Sequence, residues 1–278
     1  MTAPSGSTLL AAVIGSPVRH SLSPALHNAA FADSGLDWTY VAFEVADGDA
    51  VGALGAMRSL GIRGLSVTMP HKTAVAGACD ELSDDAAALR SVNCVSVLGD
   101  GRLRGDSTDG EGFLRSLDDA RVAVAGAKVA LLGAGGAARA VAQALVRRGA
   151  AVTVAARRPE ASRAVTNIIP DVLTTDWADR DDLVRRSDVV VNCTPIGMLG
   201  DQGLPCDSAA LQRDQCVVDL VYRPLRTPLL ATAAAVGATT VDGLGMLVHQ
   251  AALAFEIWTG VVPSLEVMRA AALATLAI

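Results

Sequence analysis

The sequence predicts an α/β protein of two domains, and three observations predict it. Short apolar runs alternate with helical stretches, the pattern of mostly parallel strands with helices between them. The alternation is looser over residues 1–105 and more regular over 106–238, while 239–278 ends the chain in long apolar helices. The 278 residues are enough for two cores.

The elements follow in order. LLAAVIG (9–15) is an apolar run ending in glycine, read as a buried strand. In SPALHNAAFADSG (23–35), Ser23 suits a cap, Pro24 the first helical position and Gly35 the helix end. WTYVAFEV (38–45) is strand-like and 47–60 helix-like. Within LSVTMPHKTA (65–74), Leu65, Val67 and Met69 alternate with Ser66 and Thr68, giving a half-buried strand over 64–69. Pro70 ends it, because proline cannot donate to a ladder. Residues 82–91 read as helix, and NCVSVL (93–98), a GDG turn and RLRG (102–105) as a hairpin. Next come strand 128–133, helix 136–149, strand 151–156, a further helix and a weaker strand near 171–174. DVVVNCT (188–194) and CVVDLV (216–221) are strong apolar strands, a helix over 227–236 ends at Gly237, and helices at 244–259 and 263–277 finish the chain. These last helices are expected to return to the first domain.

Composition narrows the function. Aromatic residues are only 3%, so the core is built from Ala, Val and Leu. The net charge of -6 argues against a general basic surface for nucleic acid. The five cysteines form no CxxC, and the four histidines have no ligand spacing, so no metal site or disulfide framework is expected. The N-terminus lacks a basic secretory leader and no apolar run reaches the length of a membrane span. The expectation is a cytoplasmic protein with small-molecule partners, no nucleic acid and no membrane, as a monomer or homodimer.

LLGAGGAARA puts Gly133, Gly135 and Ala138 on the G-x-G-x-x-[GA] spacing, after a strand and at the start of a helix. The first glycine permits the tight turn, the second lets backbone approach a pyrophosphate, and the small third residue lets helix and strand pack closely. Free N–H groups at the helix start favour an anion. Gly133, Ala134, Gly135, Gly136 and Ala137 are therefore candidate cofactor-binding residues of a Rossmann-type domain. The next strand has no acid at its end; TVAARRPE carries Arg157 and Arg158 instead. Guanidinium groups pair with a 2′-phosphate that a carboxylate would repel, so NADP is favoured over NAD.

Seven segments in one order, SPVRHSLSPALHN, SVTMPHK, SVNCV, GDSTDGEGF, GAGGAAR, NCTPIGM and DGLGMLVHQAALAFEIWTG, resemble shikimate dehydrogenases (the shikimate/quinate 5-dehydrogenase family) across nearly the whole chain. The resemblance implies a substrate-binding domain of 1–105 and 239–278 and a Rossmann NADP-binding domain of 106–238. It implies reversible reduction of 3-dehydroshikimate to shikimate by NADPH, in aromatic amino acid (chorismate) biosynthesis. By the same resemblance Lys72 and Asp109 are catalytic. Ser21 and Ser23 match the hydroxyls that bind the substrate carboxylate, with Tyr222 near it. Thr68 and Asn93 match groups on the ring hydroxyls, and Gln250 a substrate-binding amide. Thr194, Gly243 and Met246 fall on the cofactor side. Two motifs depart. The usual Asn-Val-Thr is Ser66-Val67-Thr68, which keeps Ser66 as a substrate-binding candidate but opens quinate or an aminated shikimate analogue as alternative substrates. The usual Asn-Arg-Thr is Ala156-Arg157-Arg158, which loses an amide and gains a positive charge.

The chemistry also stands without a family. Alcohol oxidation by a nicotinamide needs a hydride to leave carbon and a proton to leave the hydroxyl. Without a metal, a side chain handles the proton, and Lys72 or Asp109 is the candidate; sequence leaves open which one shuttles it. Ser23 is either a carboxylate ligand or only a helix cap. A nucleotide-binding regulator without catalysis is the alternative of a different class, and the presence of both Lys72 and Asp109 argues against it. His27 and His249 read as packing residues, and His71 has no assigned role.

Overall fold

In the computed structural model, which describes residues 3–277, the first apolar run is strand β1 (Leu9–Gly15). Then come α1 (Ser23–Asp33), β2 (Trp38–Glu44), α2 (Ala50–Ser59), β3 (Gly64–Val67), α3 (Lys72–Ala76), β4 (Glu81–Leu82), α4 (Asp84–Leu89), β5 (Cys94–Val97) and β6 (Leu103–Asp106). They build a six-stranded sheet in the order β2-β1-β3-β5-β6-β4. β1 pairs in parallel with β2 and β3. β5 runs antiparallel to both β3 and β6, the β5–β6 pair being the expected hairpin. The sheet is therefore mixed. Its apolar core includes Ile14, Leu54, Leu65, Val67 and Val95.

α5 (Asp109–Asp119), β7 (Lys128–Leu132), α6 (Gly136–Arg147), β8 (Ala151–Ala156), α7 (Pro159–Ile168), β9 (Leu173–Asp176), α8 (Arg180–Arg185), β10 (Val189–Asn192), β11 (Cys216–Asp219), α9 (Pro228–Val236) and β12 (Thr239–Val241) follow. Their sheet, β12-β11-β10-β7-β8-β9, is parallel throughout. That is the doubly wound nucleotide-binding order, with its switch point between β7 and β10. The two closing helices are α10 (Gly243–Thr259) and α11 (Leu265–Leu276).

Two compact units result. Residues up to Thr108 and from Gln250 onward form the first, which takes α11 and the part of α10 from Gln250 on; Asp109–His249 forms the second and holds the start of α10. The divisions between the two units fall at 108/109 and 249/250. β12 is a rung of the second sheet, and His249 Nε2 meets Asp119 Oδ2 at 2.8 Å within that unit. Five elements were not expected from sequence: α3, β4, α5, α8 and β12. All but α5 are six residues or shorter, too short to display a period.

Two local expectations are corrected. β3 ends at Val67, so Met69 lies beyond the sheet and is 64% exposed, while Leu65 and Val67 are buried. Ser23 is the first residue of α1 rather than its cap; Leu22 holds the cap position and no side chain caps the helix.

Candidate active site

In the first unit, the polar candidates gather about β3. Ser21 and Ser23 stand at the start of α1, where the Ser23 N–H donates to Ser21 Oγ at 3.2 Å. The positive dipole end of α1 suits an anion beside these hydroxyls. Ser66 and Thr68 lie two residues apart in extended chain and so share a face; both are partly exposed.

Lys72 opens α3. Its place is set on both sides: the His71 N–H donates to the Thr68 carbonyl at 3.0 Å, and the Lys72 carbonyl accepts from the Val92 N–H at 3.0 Å. His71 is itself 1% exposed, with Nε2 2.9 Å from the Val45 carbonyl. The histidine without a sequence role is thus an anchor for the lysine that follows it. Beside Val92, the Asn93 carbonyl accepts from the Val67 N–H at 2.8 Å. The Asn93 side chain donates to Thr108 Oγ1 at 2.9 Å and accepts from the Thr108 N–H at 2.7 Å. Thr108 Oγ1 in turn donates to the Gln250 carbonyl at 3.2 Å, and Asn93 Nδ2 lies 3.5 Å from Gln250 Oε1. Thr108 escaped sequence reasoning, because nothing in STDG marks it as the partner of an asparagine fifteen residues earlier.

The second unit gathers the cofactor-side candidates, and Asp109, first residue of α5, is buried there. Gly133 has φ +111°, and a Cβ would stand 3.1 Å from the Cys193 carbonyl and from Thr194 Cγ2. The glycine turn thus sits against the loop after β10, at the switch point. A Cβ on Gly135 would meet nothing within 4 Å. Gly135 caps α6 without a side-chain bond, leaving an open helix start able to hold a pyrophosphate. Ala134, Gly136 and Ala137 complete that turn, with Ala138 buried behind it. Arg157 and Arg158 follow β8 and are exposed, Arg158 Nε lying 3.8 Å from Glu160 Oε1. These residues fit a dinucleotide with a 2′-phosphate.

Thr194 is held by Asn192, whose Oδ1 accepts from the Thr194 hydroxyl at 2.7 Å. Asn192 donates to Asp219 Oδ1 at 2.9 Å, and the Thr227 hydroxyl donates to Asp219 Oδ2 at 2.7 Å while capping α9. Burial pushes the Asp219 carboxyl above its ordinary range. This network ties the loop carrying Thr194 to the loop carrying Tyr222, whose phenol burial also pushes upward. Gly243 has a packing reason of its own, since a Cβ there would run into the Leu220 carbonyl. Met246 is 9% exposed within α10.

Three family models match the chain: the shikimate dehydrogenase substrate binding domain over 13–95, an NADP oxidoreductase, coenzyme F420-dependent, over 128–222, and the shikimate 5′-dehydrogenase C-terminal domain over 243–273. A shikimate dehydrogenase (NADP(+)) from Methanopyrus kandleri is 44% identical, covering 96% of this chain and 95% of its own. The chain belongs to the shikimate dehydrogenase family. Among solved structures, a Thermus thermophilus shikimate 5-dehydrogenase in complex with NADP(H) and shikimate superposes with a TM-score of 0.88 at 36% identity, covering 96% of this chain and 99% of that one. A Corynebacterium glutamicum quinate dehydrogenase in complex with NAD superposes with 0.89 at 34% identity, covering 96% and 99%. The substrate binding domain model lies within the first unit and the NADP oxidoreductase model within the second, while the C-terminal domain model starts before the division at 249/250 and continues past it.

Proposed function

We propose that this chain catalyses the reversible, NADPH-dependent reduction of 3-dehydroshikimate to shikimate, a step toward chorismate and the aromatic amino acids. The observation that carries the reading is the hydrogen-bonded neighbourhood of β3, where Thr68, Lys72, Asn93, Thr108 and Gln250 are linked through backbone and side-chain bonds. Ser21 and Ser23 receive the substrate carboxylate at the start of α1. Thr68, Asn93 and Gln250 orient the ring hydroxyls.

NADPH, when bound, supplies the hydride. Gly133 to Ala137 carry its pyrophosphate at the start of α6, and Arg157 and Arg158 its 2′-phosphate. Thr194 and Met246 border the same cofactor, Gly243 sets the chain beside it, and Tyr222 serves the substrate carboxylate. Lys72 donates the proton that the new hydroxyl needs, and Asp109 accepts a hydrogen bond from a substrate hydroxyl.

The test is a purified-enzyme panel of shikimate and quinate against NADP and NAD. The highest kcat/KM is expected with shikimate and NADP. Ser66, in the family's asparagine position, motivates a second reading as a quinate dehydrogenase, and quinate with NAD as the best pair would establish that reading instead.

A further inference from the structure

The substitution at Ser66 has a partner that sequence spacing does not reveal. Tyr40 lies in β2 with 2% exposure, and its hydroxyl donates to Ser66 Oγ at 2.7 Å. Ser23 is its other polar neighbour. Its backbone is pinned from both sides by Asn28, which accepts from the Tyr40 N–H at 2.8 Å and donates to its carbonyl at 2.9 Å. The ring stacks on His27 with centroids 4.3 Å apart. The phenol therefore has little freedom to turn away.

We propose that Tyr40 is a positioning residue that makes Ser66 a hydrogen-bond donor to the bound substrate. The proposal rests on the reading of the first unit as the substrate-binding unit. A serine hydroxyl has one hydrogen to give and two lone pairs. Tyr40 occupies a lone pair, so the Ser66 hydrogen is directed elsewhere. Among the described residues no protein group accepts it, and Ser66 is partly exposed on the face it shares with Thr68. Burial pushes the Tyr40 phenol well above its ordinary range, so it remains a donor throughout any workable assay pH. A serine backed by a tyrosine thus offers a fixed donor on that face.

The test is a double-substitution cycle of Tyr40→Phe, Ser66→Ala and both together, assayed with shikimate and NADP. Each single change is expected to raise KM for shikimate about 3- to 10-fold, the size of one hydrogen bond. KM for NADP should stay unchanged, and the double variant should be no worse than Ser66→Ala alone. Additive losses, or an unchanged KM in Tyr40→Phe, overturn the proposal. Ser66→Thr supplies an independent reading: it should keep KM near the wild-type value, and a KM as high as that of Ser66→Ala overturns the proposal even if Tyr40→Phe fails to fold. Wild-type protein that turns over no panel substrate overturns the functional reading as well, whereas active wild type with an additive cycle overturns the Tyr40–Ser66 pair alone.

Discussion

At the scale of single residues, the catalytic reading turns on Lys72. Its backbone is set by His71, Thr68 and Val92, so removing the side chain should leave the fold intact. Lys72→Ala is expected to lower kcat about 100-fold or more, the range of general acid–base catalysis. Steady-state kinetics beside a circular dichroism spectrum checks it, and an unchanged kcat removes Lys72 from the mechanism. Arg157 and Arg158 carry the cofactor reading. Replacing both by alanine should raise KM for NADPH far more than for NADH, because only NADPH has the 2′-phosphate. Equal changes would show that neither guanidinium meets that group. Their exposed place after β8 was legible from two adjacent letters. The hydrogen bond between Tyr40 and Ser66 was not, since the two residues stand 26 positions apart.

At the scale of elements, glycine and tryptophan set how α10 meets the first sheet. A Cβ on Gly64 would lie 2.6 Å from Trp258 Cε2, and the indole Nε1 donates to the Val95 carbonyl at 3.0 Å. Gly64→Ala must displace that ring or bend β3. It should destabilise the protein by about 1–3 kcal/mol, as overpacking does, measured by urea unfolding; a variant as stable as wild type would mean that the indole moves freely. The strong elements were readable from periodicity alone: β1, β7, β8, β10 and β11 all fall within their apolar runs. Of the short ones, α3 is held at its start by buried His71, whose Nε2 lies 2.9 Å from the Val45 carbonyl.

At the scale of the whole molecule, stability is tied to pH through His27. Burial lowers its pKa to about 3, whereas the unfolded chain takes up the proton near the ordinary value of about 6.5. Between those limits the unfolded state binds more protons, so stability rises with pH and is lost as pH falls below about 6.5, by at most ~1.4 kcal/mol per pH unit from this group. His27→Phe should unfold with a shallower pH slope from 6.5 to 4, measured by urea titration at each pH; an identical slope would show that His27 does not carry the effect. The sequence by itself determined the α/β class, a Rossmann-type second unit and the glycine turn, because periodicity and motif spacing are local properties of the chain, while the family resemblance named most site candidates. Only the tertiary structure decided that β12 belongs to the second sheet, that Thr108 holds Asn93, that His71 reaches the Val45 carbonyl and that Tyr40 backs Ser66. Each of these joins groups far apart along the chain or on different elements, and their contact is settled by how strands order themselves in a sheet.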